Sequence, residues 1–134
     1  MFVDANIFID LLENDPVWAD WSMQQLKEQA FRHKLFINNI IYAEISLNFA
    51  SEAPLDALLK KSNITLLEIP KSAAFLAGKA FAEYRRNGGT KANVLSDFFI
   101  GAHAQVAGLP ILTRDVRRYR RYFPDVALVA PQMQ

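Results

Sequence analysis

Hydrophobic residues follow two patterns along this chain. Short, almost wholly apolar runs predict strands at residues 1–3, 35–37, 64–69 and 111–113, with a possible fifth at 126–129. The segments between these runs carry apolar residues at helical spacing. Strands that are apolar throughout and alternate with helices are typical of a parallel sheet covered by helices on both faces. The pattern therefore predicts an α/β protein with three layers, α/β/α, around a central parallel sheet of four to five short strands.

Residues that favour helix ends delimit several of the predicted helices. Asp15 can cap a helix that continues to about residue 33, because proline follows it at the first helical position. Asn38 can cap the helix after the second strand, and residue 93 or 96 can cap the helix before the fourth, which Gly108 closes. The predicted helices cover residues 6–12, 16–33, 39–48, 54–61, 71–87 and 95–107.

The composition indicates one compact domain. A length of 134 residues is a common domain size, and 51% hydrophobic residues with only six prolines are typical of a packed globular protein. We therefore expect a single domain over residues 1–134.

The absence of cysteine excludes disulfides and thiolate metal sites. The net charge of +1 indicates neither a nucleic-acid nor a membrane partner. The lack of cysteine fits a cytoplasmic location, and no apolar run approaches the roughly 18 residues of a membrane span.

Polar side chains directly follow three of the predicted strands. Asp4 follows the first strand, Asn38 the second, and Thr113 and Asp115 lie at or just past the end of the fourth. Because the carboxyl ends of parallel strands lie along one edge of a sheet, we expect these side chains to face the same crevice. Asp4 could also be no more than a helix N-cap, and Asp115 a solvated acid on a surface turn.

Two further acids lie in helices near this edge. Glu44 falls within an apolar stripe, where an unpaired carboxylate is costly, so it needs a metal, another cation or a buried salt bridge. Asp97 lies in the opening turn of its helix, where it could merely complement the helix dipole, and Gly101 leaves room beside it. Asp10 is assigned to the polar side of the first helix, and His103 to a hydrogen-bonded structural role.

Four carboxylates from distant parts of the sequence could thus share one pocket. Crowded carboxylates repel one another unless a cation neutralises them, and all-oxygen donors suit Mg²⁺ or Mn²⁺. Such a metal polarises a phosphoryl group and lowers the pKa of a bound water, which is the chemistry of phosphodiester hydrolysis. The predicted catalytic and metal-binding residues are Asp4, Glu44, Asp97 and Asp115.

A basic segment adjoins the predicted acidic site. Residues 114–121 contain five arginines against one aspartate. Guanidinium groups suit phosphate oxygens, while Tyr119 and Tyr122 could stack on unpaired bases, as expected for single-stranded or looped RNA. A solvated basic turn is the alternative. The predicted RNA-binding residues are Arg114, Arg117, Arg118, Arg120, Arg121 and, with weaker support, Lys91.

Three motifs resemble those of a known family. The family's opening strand and aspartate resemble VDANIFIDLL, in which Asn6 takes the place of a frequent asparagine, and its glutamate segment resembles IIYAEI. Its closing signature is similar to SDFFIGAHAQVAGLPILTRDVRRY, in which Asp97 matches the third acid, Thr113 a small hydroxyl residue and Asp115 the fourth acidic or amide position. Over nearly its whole length, the chain is similar to PIN-domain proteins, particularly the VapC-like toxins of prokaryotic toxin–antitoxin pairs.

The resemblance implies a PIN-like three-layer α/β/α fold, endoribonuclease activity that depends on Mg²⁺ or Mn²⁺, a homodimer, and inhibition by a cognate antitoxin protein. In such a site Asn6 and Thr113 would orient metal ligands or water. The chain departs from the family at Ala5, which replaces a common hydroxyl residue, and after Asp115, where an arginine-rich turn replaces a more usual Asp-Phe pattern. These departures bear on the choice of substrate.

The leading hypothesis is a toxin that cleaves a structured RNA, such as a tRNA or rRNA loop, through metal-activated water. A catalytically idle PIN-like module that binds RNA or a protein partner is the alternative. A Mg²⁺-dependent phosphatase acting through an aspartyl phosphate is a third hypothesis, although position 6 lacks the second aspartate of such enzymes.

Overall fold

The sheet is parallel throughout in this computed structural model, which describes residues 1–91 and 93–132. Its strand order is β3-β2-β1-β4-β5, which confirms the predicted parallel sheet of short strands. The prediction of one domain over 1–134 includes positions 92, 133 and 134, which lie outside the described residues. The strands are β1 (Phe2–Val3), β2 (Leu35–Ile37), β3 (Ile64–Leu66), β4 (Ile111–Leu112) and β5 (Leu128–Val129).

Helices connect every pair of consecutive strands. The chain moves from β1 outward to β2 and β3 and then returns across the sheet to β4 and β5. Because crossovers between parallel strands are right-handed, this reversal puts the two sets of connecting helices on opposite faces, which gives the predicted three layers. None of the helices in the described ranges is long and apolar enough to cross a membrane. The helices are α1 (Ala5–Leu12), α2 (Ala19–Arg32), α3 (Asn39–Ser46), α4 (Glu52–Lys61), α5 (Lys71–Arg86), α6 (Leu95–Ala107) and α7 (Arg117–Tyr122).

Several element boundaries differ from the prediction. A carboxylate oxygen of Asp15 accepts hydrogen bonds from the backbone N–H groups of Val17 and Trp18, which forms a turn, so that α2 begins at Ala19 rather than at residue 16. Helix α6 has the predicted bounds, but its N-cap is Val94 without a side-chain hydrogen bond, so the predicted cap at 93 or 96 was wrong. Strand β3 is shorter than predicted because its partner β2 ends at residue 37 and offers no further backbone groups for pairing.

The crevice between β1 and β4 is the switch point of the sheet. From β1 the chain leaves toward β2, whereas from β4 it leaves toward β5, on the other side. The two strands are in register, and the backbone N–H of Asp4 donates to the carbonyl of Leu112 over 2.9 Å. Side chains that follow β1 and β4 therefore open into one crevice, the usual position of a ligand site in a parallel α/β sheet.

The contact between α6 and the segment after α7 depends on Gly101. The buried Phe123 ring lies where a β-carbon at position 101 would be, so the space that the sequence left beside Asp97 is occupied by this ring. The aromatic rings of Phe98 and Tyr122 also pack together here, with centroids 5.1 Å apart. This packing fixes α7 against the helix that carries Asp97.

Gly101→Ala is expected to destabilise the protein by about 2 kcal/mol, because the methyl group overlaps the Phe123 ring. The measurement is the free energy of unfolding in denaturant. Gly78→Ala in α5 is the matched control, because nothing lies within 4 Å of a β-carbon there. It should stabilise the protein by roughly 0.5–1 kcal/mol. Similar effects of the two substitutions would contradict the role assigned to Gly101.

Candidate active site

Asp4 is the most buried of the four predicted acids, with 6% of its surface exposed. Its Oδ1 accepts a hydrogen bond from the backbone N–H of Ala5 over 2.7 Å, so Asp4 does cap α1. Its Oδ2 accepts hydrogen bonds from the hydroxyls of Thr113 and Tyr119, each over 2.8 Å. Burial raises the pKa of Asp4, while the hydrogen bonds from Tyr119, Thr113 and Ala5 lower it. One oxygen of the Asp4 carboxylate thus caps α1, and the other is bound by a residue after β4 and a residue on α7.

Thr113 and Asn6 lie beside Asp4, where they were predicted. The Nδ2 of Asn6 donates to the Thr113 hydroxyl over 3.2 Å, and the Oδ1 of Asn6 accepts from the backbone N–H of Arg114 over 3.2 Å. The backbone N–H of Asp115 also donates to the Thr113 oxygen over 3.1 Å. These bonds fasten the loop after β4 to α1 and orient the Thr113 hydroxyl toward Asp4.

The pKa values of Glu44 and Asp97 are both raised well above the usual value of a carboxyl group. Burial and the charge of Asp4 raise the pKa of Glu44 to about 7. Burial and the charges of Asp4 and Glu44 raise the pKa of Asp97 to about 7, against the lowering effect of Arg118. The Ser96 hydroxyl makes a long 3.4 Å hydrogen bond to Glu44 Oε2, whereas Glu44 Oε1 is buried without a partner among the described residues. The buried salt bridge considered for Glu44 is not found there.

Asp115 occupies the outer side of the site. Its carboxylate pairs with the Arg117 guanidinium, with contacts of 2.9 and 2.6 Å, and this hydrogen bonding lowers the pKa of Asp115. Its charge nevertheless raises the pKa of both Asp4 and Asp97. Asp115 therefore interacts electrostatically with Asp4 and Asp97 while it forms an ion pair with Arg117.

The four acids fit a hard divalent cation in donor type and in charge. The unpartnered Glu44 Oε1 is an oxygen that a cation would satisfy. As they stand, no three acidic or histidine side chains in residues 1–91 and 93–132 are arranged to hold a metal ion. Repulsion between carboxylates opposes their convergence until a cation neutralises them. The donor set therefore suits a hard divalent cation in chemistry, although the described side chains do not form a preassembled metal site.

One predicted phosphate contact has a structural partner instead. The Arg114 guanidinium binds both carboxylate oxygens of Asp10 at 2.8–3.1 Å, and the Ser22 hydroxyl donates to the same carboxylate over 2.9 Å. Asp10 is only 1% exposed, so its assignment to the polar surface of α1 was wrong. This ion pair ties the loop after β4 to α1 and gives Arg114 a structural role, while its predicted contact with an RNA phosphate stays a prediction.

The other predicted cations differ in their burial and in their partners. Arg118 is half-buried and acts electrostatically on Asp97, whereas Arg117 is paired with Asp115. The guanidinium of Arg121 lies over the Tyr122 ring. Arg120 and Lys91 have exposed side chains, and the backbone N–H of Lys91 donates to the Tyr84 hydroxyl.

Tyr119 was misassigned as a base-stacking residue. It is 1% exposed, and its hydroxyl donates to Asp4, so its contribution is to the acidic site and not to an RNA surface. The predicted surface turn is the helix α7. Val116, Tyr119 and Phe123 are all buried and recur at helical spacing, a periodicity from which the helix and its buried tyrosine could have been predicted.

Asn38 does not contribute to the crevice in the predicted way. Its Oδ1 caps α3 by accepting from the backbone N–H of Ile41 over 3.0 Å, and its Nδ2 donates to His103 Nδ1 over 3.1 Å. His103 also packs against the Phe2 ring, and burial lowers its pKa. The structural role predicted for His103 is confirmed, and the same hydrogen bond occupies Asn38.

The raised pKa values of the acids predict that the protein in chelator loses stability as the pH rises from 5 to 8. Between these values folded Glu44 and Asp97 release protons with pKa values of about 7, whereas in the unfolded chain they are already largely ionised. His103 opposes this trend below about pH 6.5, because its pKa is lowered in the folded protein.

Comparing the wild type with Glu44→Gln isolates the contribution of the Glu44 carboxyl group to this pH dependence. The Tm of the variant should exceed that of the wild type by roughly 5 °C at pH 8 and by much less at pH 5. A difference in Tm that is independent of pH would show that Glu44 does not titrate in this range. Thermal unfolding followed by circular dichroism provides the measurement.

The comparisons with known proteins agree with this fold. The family model for the PIN domain matches residues 1–124, and the chain therefore belongs to the PIN-domain family, whose members are generally nucleases. Among curated protein sequences, none is significantly similar to the chain.

Solved structures with the same fold include proteins of toxin–antitoxin complexes. A chain in the structure of VapBC2 from Rickettsia felis, bound to a DNA fragment from their promoter, is 20% identical in sequence to this protein. The match covers 98% of both chains, with a TM-score of 0.71. VapBC-1 from nontypeable Haemophilus influenzae is 22% identical over 96% of both chains, with a TM-score of 0.72. DNA-bound VapBC from Salmonella typhimurium is 24% identical over 96% of both chains, with a TM-score of 0.69. At these identities the likeness is one of fold.

Proposed function

We propose that this protein is a metal-dependent endoribonuclease and the toxin of a toxin–antitoxin pair. The observation that carries the proposal is the group of Asp4, Glu44 and Asp97 at the switch point, with two pKa values raised to about 7 and one buried oxygen without a partner. Acids whose pKa values are raised by burial and by one another are typical of functional sites rather than of structural ion pairs. Membership of the PIN-domain family supports a nuclease.

The four acids would hold the metal in this mechanism, directly or through water. The Mg²⁺ or Mn²⁺ ion supplies phosphoryl polarisation and a water of lowered pKa. Thr113 and Tyr119 orient the Asp4 carboxylate through their hydroxyls and lower its pKa against the larger, raising effect of burial. Arg118, which already acts on Asp97, offsets negative charge near the phosphodiester, and Asn6 fixes Thr113. Arg117, Arg120, Arg121 and Lys91 contact RNA phosphates farther out.

The substrate in this proposal is a structured RNA in the cytoplasm, such as a tRNA or rRNA loop. A single-stranded loop can place its backbone in an open crevice, whereas a continuous duplex keeps its bases stacked. The toxin acts as a homodimer and is inhibited by a cognate antitoxin. The structural neighbours from toxin–antitoxin complexes support the existence of such a partner.

The test incubates purified protein with total cellular RNA in Mn²⁺, in Mg²⁺ and in chelator, and maps new RNA ends by sequencing. Discrete ends that require both metal and an intact Asp97 are expected. RNA binding without any new ends at either metal would instead favour a catalytically idle module. Hydrolysis of a small phosphate monoester without RNA cleavage would favour the phosphatase.

A further inference from the structure

An open cavity borders the cluster of acids at Asp115. Its volume is about 550 Å³, large enough for a nucleotide-sized group. Its lining combines an indole with three guanidinium groups and one carboxylate. The lining residues are Trp18, Arg114, Asp115, Val116, Arg117 and Arg120.

The indole of Trp18 is held in place before any ligand binds. The indole ring makes an edge contact with the Trp21 ring, with 6.2 Å between centroids, and the backbone N–H of Trp18 donates to Asp15 over 2.9 Å. The Arg114 guanidinium lies 5.7 Å from the ring centroid of Trp18 and is itself fixed by the nearly fully buried Asp10. A half-buried aromatic ring fixed in this way is a stacking surface that loses little conformational entropy on binding.

Arg117 can exchange its present partner for a phosphate. Its side chain is 70% exposed and that of Asp115 is 38% exposed, so their ion pair is a surface pair that contributes little to stability. A phosphate offers the guanidinium the same two-oxygen geometry as the carboxylate does. If Asp115 binds a metal, as the proposed function requires, its hold on Arg117 weakens further.

We propose that this cavity binds one unpaired nucleotide of the RNA, next to the phosphate that is cleaved. The base stacks on Trp18, and its phosphate contacts Arg117 and the wall that carries Arg120. This assignment rests on the proposed function for its substrate, but it concerns binding and requires no metal. An acidic peptide could match the arginines but has no base for the indole, and so the aromatic wall favours RNA over a protein ligand.

The test uses Trp18 as its own reporter. The sequence contains two tryptophans, so in a Trp21→Phe background Trp18 is the remaining one. The protein also carries Asp97→Asn and is kept in chelator to prevent cleavage. It is titrated with a short single-stranded RNA, with an abasic ribose-phosphate oligomer of the same length, and with an acidic peptide of equal charge. The RNA should quench the fluorescence of Trp18, and the other two ligands should leave it nearly unchanged.

A second measurement compares the affinities of variants for the same labelled RNA by fluorescence anisotropy. Trp18→Ala should weaken binding about five- to tenfold, the loss expected for one stacked base, and Arg117→Ala should weaken it and reduce its dependence on salt. Phe31→Ala and Arg32→Ala, which alter an exposed aromatic ring and an exposed cation on α2, are the matched controls and should leave the affinity unchanged.

The outcomes separate this inference from the proposed function. Equal quenching by RNA and by the abasic oligomer, or quenching by the acidic peptide, would overturn the nucleotide site even if metal-dependent cleavage is observed. Quenching by RNA alone would support the site even if no RNA is cut at any metal. Because the quenching experiment leaves Trp18 intact, it decides the question even if Trp18→Ala fails to fold.

Discussion

Asp97→Asn is expected to lower RNA cleavage by more than about a hundredfold while it raises the stability of the protein in chelator. Activity falls because a neutral amide is a poor replacement for a carboxylate that neutralises a metal. Stability rises because the pKa of Asp97 is about 7, so that near pH 8 the wild type carries a partly buried charge close to Asp4 and Glu44. The gain should be about 1 kcal/mol, which is typical when a strained functional group is removed.

These opposite signs distinguish a metal-binding acid from a structural one. Initial rates of cleavage and denaturant unfolding in chelator are measured on the same preparation. Asp125→Asn, which replaces an exposed aspartate, is the control and should change neither quantity. A variant that loses both activity and stability would show that Asp97 supports the fold, and an equally active variant would remove it from the site.

Arg114→Leu is expected to destabilise the protein by about 3 kcal/mol and to lower its Tm by roughly 10 °C. The substitution leaves the Asp10 carboxylate, which is 1% exposed, with the Ser22 hydroxyl but without its cation. An uncompensated buried charge is costly because it loses its partner without regaining water. Calorimetry and denaturant unfolding measure the loss.

The double variant Asp10→Asn/Arg114→Leu tests this cause. Because it removes the carboxylate charge together with its partner, it should be more stable than Arg114→Leu alone by about 1–2 kcal/mol. If Asp10→Asn instead added a further loss to that of Arg114→Leu, the destabilisation would come from packing against Trp18 and not from the buried charge.

Much of the fold could be predicted because its strands and helices have distinct hydrophobic periods. The bounds of β2 and α6 were predicted correctly from apolar runs and a C-terminal glycine, and Gly108 does adopt a positive φ of 67°. The proximity of Asp4 to Thr113 followed from topology alone, since both come at the carboxyl ends of strands that proved to be neighbours. Predictions of this kind need only the order of the elements.

The features that were missed have two causes, a contact between side chains distant in sequence and a local pattern concealed by arginines. Nothing near Asp10 indicates that a guanidinium from residue 114 reaches it, and so a charged residue on an amphipathic helix was assigned to the solvent. The segment of α7 was dominated by arginines, which concealed the buried stripe that contains Tyr119. The roles of Glu44 and Asp97 in metal binding remain predictions, since their raised pKa values are caused by burial and by nearby carboxylates.

The pairing of β1 with β4 has a consequence for synthesis. Asp4 and Thr113 are 109 positions apart, and the second hydroxyl donor to Asp4 comes from Tyr119. Protein chains emerge from the ribosome with the N-terminus first. Strand β1 is therefore synthesised long before its neighbour β4. The acids therefore cannot assemble on a nascent chain until nearly the whole domain has been translated. In the proposed nuclease, a chain that ends before β4 would therefore lack both hydroxyl donors to Asp4.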